Sequence, residues 1–100
     1  MAVLRKDELR AGAYWRKTLW AIRPGYRGPV LVRGRRIDGP GILGFALGFR
    51  ATTELRFRPA RRGRRRWRYA PSATVIPRSG CYALQIDGTS FSRVVVFSAR

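Results

Sequence analysis

At 100 residues, with 45% hydrophobic and 12% aromatic residues, the chain is long enough for one core and too apolar to be a disordered tail. Twenty-two Lys and Arg against five Asp and Glu give a net charge of +17, a field that favours an anionic polymer, an anionic lipid or nucleic acid as partner. One Cys and no His exclude an internal disulfide, a Cys/His metal cluster and a Cys-His nucleophile pair, and no cofactor motif is present.

Residues 1–13, MAVLRKDELRAGA, lack the apolar stretch of a secretory leader, so the chain as written reads as cytoplasmic. They leave open a short helical turn or no fixed order. From Tyr14 the texture changes. YWRKTLWAI (14–22) is aromatic and β-branched enough for a strand, RPGYRGP (23–29) is a turn cluster, and PVLVRGRRI (29–37) is a second strand with Val30 and Val32 on one face.

IDGPG (37–41) turns again, and ILGFALGF (42–49) reads as a strand loosened by Gly44 and Gly48. In TELRFR (53–58), Leu55 and Phe57 alternate with Glu54, Arg56 and Arg58, the period of a half-buried strand. The run 59–71 opens and closes on proline, as loops often do, and SATVI (72–76) resumes strand character before PRSG (77–80).

CYALQID (81–87) and SFSRVVVF (90–97) predict a hairpin whose tight turn uses Asp87 and Gly88, residues that tolerate positive φ. Tyr82, Leu84 and Ile86 share one apolar face. The second strand is apolar on both faces, which places it inside a sheet or under a cover. No segment reaches the roughly 20 apolar residues of a transmembrane helix. The pattern as a whole predicts an all-β fold of about seven short antiparallel strands, a β-sandwich or small barrel: one domain over 14–100 with an Arg-rich loop at 59–70.

GYRGPVLVRGRRIDGPG (25–41) and PRSGCYALQIDGTSFSRVVVF (77–97) resemble the immunoglobulin-like carboxyl-terminal domain of uncharacterised bacterial proteins, often secreted or lipid-anchored. In these a Trp-Arg strand leads to a GRRxD strand, and a Pro-x-x-Gly-Cys-Tyr/Trp hairpin closes the domain. The resemblance covers roughly 14–50 and 71–97. It implies an immunoglobulin-like β-sandwich with a Gly-x-Tyr corner at Gly80 and Tyr82. It also implies a secreted or cell-envelope setting, a structural or binding role without assigned chemistry, and contacts with other domains of a longer chain.

The acids are Asp7, Glu8, Asp38, Glu54 and Asp87. Asp38 and Asp87 sit in Gly-rich turns, where Asp is ordinary turn chemistry, so nothing points to acid-base catalysis. Residues 50–70 carry nine bases and one acid. Within them RRGRRRWRY (61–69) supplies Arg61, Arg62, Arg64, Arg65, Arg66 and Arg68 as candidate phosphate or carboxylate contacts. Trp67 and Tyr69 are candidate stacking rings for an unpaired base, and with RFR at 56–58 they make 56–69 a candidate nucleic-acid-binding segment. The alternative is a solvated loop between strands, which accepts insertions cheaply because closure entropy grows slowly with length.

Overall fold

The computed structural model describes residues 2–61 and 66–100. Among them the chain forms nine strands: β1 (Leu9–Arg10), β2 (Ala13–Ile22), β3 (Val30–Arg36), β4 (Gly44–Leu47), β5 (Arg50–Thr52), β6 (Leu55–Phe57), β7 (Arg68–Ile76), β8 (Gly80–Asp87) and β9 (Ser92–Ala99). A single 3-10 turn, Lys6–Glu8, is the only helical element among the described residues, and no helix is long and apolar enough to cross a membrane. The strands make two antiparallel sheets, ordered β1-β2-β7-β4-β5 and β6-β3-β8-β9.

Alternation along each strand decides which side chains meet between the sheets. Val30, Val32, Leu43, Phe45, Leu55, Ile76, Tyr82 and Ala99 form the buried cluster, each large side chain contributing about 1.5–3 kcal/mol by leaving water. Thr18, Ser72 and Thr74 also point inward. Their polar atoms are matched, Thr18 Oγ1 to Thr74 Oγ1 at 2.8 Å and the indole N–H of Trp20 to Ser72 Oγ at 3.1 Å, so this polar seam leaves no hydroxyl stranded.

Residues 2–12 are tied to both sheets. Ala2 bridges Ala99 in parallel, with Ala2 N–H donating to Ser98 at 2.7 Å and Arg100 N–H donating to Ala2 at 3.0 Å. β1 then returns against β2 through Ala11 and Gly12, at φ 48° and 81°, the left-handed pair that a two-residue hairpin requires.

Several boundaries differ from the sequence reading. The 59–70 loop ends at Trp67, because β7 begins at Arg68 and runs through Pro71 opposite Leu19. Pro71 is tolerated because β4 pairs only with Ala73–Val75, so no strand flanks the proline on its other side. The 42–49 strand is confined to Gly44–Leu47, and Gly48, at φ 86°, turns the chain into β5.

In the last hairpin no residue from 87 to 91 has positive φ. Gly88 N–H instead donates to Phe91 at 2.9 Å around Thr89 and Ser90. Gly88 is needed there for room, since a Cβ would run into the Phe91 ring. Nor is β9 interior: it is the last strand of its sheet, with Val94, Val95 and Val96 exposed by 63%, 45% and 62%.

Candidate anion-binding pole

Three connections meet at one end of the sandwich: 23–29 between β2 and β3, 58–67 between β6 and β7, and 88–91 between β8 and β9. None contains an acidic residue. The first carries Arg23 and Arg27; the second carries Arg58, Arg61 and Arg66 among its described residues. Arg62, Arg64 and Arg65, also candidate contacts, lie outside the described residues.

Hydrogen bonds to backbone carbonyls zip the first two connections together. Ala60 N–H donates to the Arg27 carbonyl at 2.7 Å, and Arg27 Nη2 donates to the Arg61 carbonyl at 3.0 Å. Arg68 adds two more, Nη1 to Arg58 O at 2.7 Å and Nη2 to Tyr26 O at 2.9 Å, with its guanidinium 5.8 Å from the centre of the Tyr26 ring. Arg68, a candidate contact by sequence, is therefore committed to holding the loops in place. Arg61 and Arg66 are exposed and point their charge to water.

Tyr26 fastens the third connection. Its hydroxyl donates to Pro29 O at 2.6 Å and accepts from Thr89 N–H at 2.9 Å, and its ring meets Phe91 edge-on at 4.9 Å. Arg23, Arg27 and Tyr26 fell outside the sequence-derived candidates. The available signal was that RPGYRGP is a turn cluster with two arginines, one aromatic and no acid.

Trp67 and Tyr69 stand together on the outer face of the β2/β7 sheet. Their rings lie 6.3 Å apart and within 12° of parallel, 49% and 60% exposed. Leu19 and Pro71, paired across the ladder, extend this apolar strip. Between the sheets at the same end is an apolar opening of about 380 Å³, with Ile22, Phe57, Ile86 and Phe91 among its walls and Arg23 and Arg93 beside them.

Each of the five acids faces an arginine: Asp7 with Arg5, Glu8 with Arg16, Glu54 with Arg56, Asp38 with Arg36 and Asp87 with Arg33. Asp38 Oδ1 accepts Cys81 N–H at 3.0 Å and Arg36 Nε at 2.8 Å, which hold its carboxyl below the ordinary 3.8. Asp87 is lowered chiefly by the Ser92 hydroxyl, 2.6 Å away, with help from Gln85 and Arg33. Both carboxylates are kept ionised and bound, the opposite of what a proton donor needs at neutral pH. Cys81 is half-buried, with its Sγ 3.8 Å from Arg100 Nη2.

Comparison with known proteins finds no matching family model, no matching curated protein and no matching solved structure.

Proposed function

We propose that this chain is a non-catalytic, immunoglobulin-like binding module whose arginine pole holds a polyanion. The observation that carries the proposal is the convergence of acid-free loops, in which backbone carbonyls lock Arg27 and Arg68 while Arg23, Arg58, Arg61 and Arg66 remain displayed. A fixed cluster of one sign raises the local concentration of the opposite sign and accepts phosphate or carboxylate oxygens pairwise.

The strand order supports the immunoglobulin-like part of the reading. β2, β7 and β4 correspond to strands B, E and D, and β3, β8 and β9 to strands C, F and G. The Tyr82 hydroxyl bonds the Arg78 carbonyl at the start of β8, as in a tyrosine corner. β6 departs from the pattern, since it flanks β3 yet follows β4 and β5 in the chain. The resemblance to secreted and lipid-anchored domains makes an anionic lipid or envelope polymer the expected polyanion.

The parallel, exposed rings of Trp67 and Tyr69 favour a second reading, single-stranded nucleic acid, because bases stack on such rings whatever their sequence.

Binding of single- and double-stranded DNA, RNA and anionic vesicles, measured across a salt series, tests both. Changing Arg23, Arg58, Arg61 and Arg66 to Ser should weaken every polyanion by about tenfold or more and flatten the salt slope, each lost phosphate contact removing about 0.7–0.9 from it. Unchanged affinity would remove the pole. Selective loss of single strands in Trp67→Ala selects nucleic acid, and a vesicle preference insensitive to that change selects lipid.

A further inference from the structure

The second strand of the last hairpin presents a long, apolar edge that the described residues leave uncovered from Ser92 to Phe97, whereas the other long open edge, Trp15–Ile22 of β2 beyond β1, carries Arg16 and Lys17. β1, β5 and β6, the other edge strands, have two or three residues each, whereas β9 has eight. Proteins ordinarily blunt such edges with charge, proline, a bulge or a covering segment. Here Ala2–Leu4 covers only Ser98–Arg100, and the rest of β9 offers Val94, Val95 and Val96, all exposed.

The direction of the backbone groups follows from that clasp. Ser98 C=O and Arg100 N–H face Ala2, away from β8, and backbone groups alternate along a strand. Even-numbered residues of β9 therefore aim their N–H and C=O outward, while odd-numbered ones pair with β8. Ser92 C=O accepts from its neighbour Arg93. Val94 and Val96 are left with two donors and two acceptors unpaired among the described residues.

We infer that this edge is a homodimer interface, in which β9 pairs antiparallel with β9 of a second copy about a two-fold axis at Val95. In that register Val94 faces Val96 of the other copy and the reverse, so the two hydrogen-bonded pairs use all four open groups of Val94 and Val96 on each strand. Val95 faces its own symmetry mate in a non-hydrogen-bonded pair. The four copies of Val94 and Val96 lie together on the outer face, and Val95 lies toward the inner one.

Charge argues for a second copy only in this antiparallel sense. Arg93 is the sole charged residue from Ser92 to Ala99, and the register sets it opposite Phe97, not opposite another arginine. The arginine poles lie at the Ser92 ends. Ser92 stands level with Ser98 of the other copy, where the Ala2–Leu4 clasp ends the pairing, so the two poles are offset by six residues, about 20 Å at 3.4 Å each. That exceeds twice the screening length of about 8 Å at physiological salt. The same patch meets itself, so the pairing closes at two copies.

Sedimentation of the nucleic-acid-free chain at about 100 µM, in about 1 M salt where screening shortens to about 3 Å, should show a dimer. Val94→Lys with Val96→Lys should weaken self-association by at least about tenfold, because lysine on an edge opposes pairing, with an unchanged thermal transition. In a Cys81→Ser background, Val95→Cys should oxidise to a covalent dimer much faster than Val94→Cys. A wild-type chain that stays monomeric, or a Val95→Cys chain that cross-links no faster than Val94→Cys, overturns the proposal. Dimers that survive the lysine pair place the contact elsewhere and overturn it too.

Discussion

The Tyr82 hydroxyl donates a hydrogen bond to the carbonyl oxygen of Arg78, 2.6 Å away, from a ring with no exposed surface. The ring also stacks on Phe97 at 5.7 Å, so its packing and its hydrogen bond can be separated. Tyr82→Phe should keep the packing and leave the Arg78 carbonyl without this donor. The expected cost is about 1 kcal/mol, or a melting temperature lower by about 4–8 °C for a domain of this size. An unaltered transition would show that this hydrogen bond contributes nothing to stability.

Arg68 binds two carbonyl oxygens with the two arms of one guanidinium, a geometry lysine cannot reproduce. Arg68→Lys preserves net charge. Its expected effect is a loss of about 1–3 kcal/mol in stability with little change in the salt slope of polyanion binding. A variant that binds less steeply but melts normally would instead make Arg68 a ligand contact.

Asp38 and Asp87 titrate below 3.8 in the folded protein. The unfolded chain takes up these protons first as pH falls. The stability they supply is therefore complete only above about pH 5 and disappears as pH drops through the lowered folded values. Asp38→Asn should remove part of that acid sensitivity while leaving the neutral-to-alkaline profile flat. A profile steepest near neutrality would contradict this assignment.

Salt should stabilise this protein. Three of the five ion pairs join residues two apart in sequence, Arg5 with Asp7, Arg36 with Asp38 and Arg56 with Glu54, so folding creates little of that attraction. Exposed pairs of this kind are worth about 0–1 kcal/mol, and repulsion among the remaining cations outweighs them. Melting temperature should rise as chloride is raised from about 0.05 to 0.5 M, over which screening tightens severalfold. A fall would mean that the pairs outweigh the excess.

The strands that alternate cleanly could be read from the residues: Val30 with Val32, Leu55 with Phe57, and Tyr82 with Leu84 and Ile86 face inward as expected. The start of β7 was hidden because proline and consecutive arginines usually punctuate a loop. Pro71 survives there because of where β4 stops, a tertiary fact with no local signature. The candidate pole was half visible for the same reason. Charge density marked 61–69, but only the meeting of three loops adds Arg23, Arg27 and Tyr26, and only hydrogen-bond geometry removes Arg68 from the displayed set.

The bridge between Ala2 and Ala99 joins residues almost the whole chain apart. Its closure entropy is among the largest of any contact between the described residues, and pairings of such long range are slow to form. This clasp therefore closes after the two sheets have assembled, and it is also the first part to reopen. In a hydrogen-exchange experiment the amides of Ala2, Leu4 and Arg100, all bonded in the native state, would lose protection through local fraying while the β2/β7 ladder opens only with the whole domain.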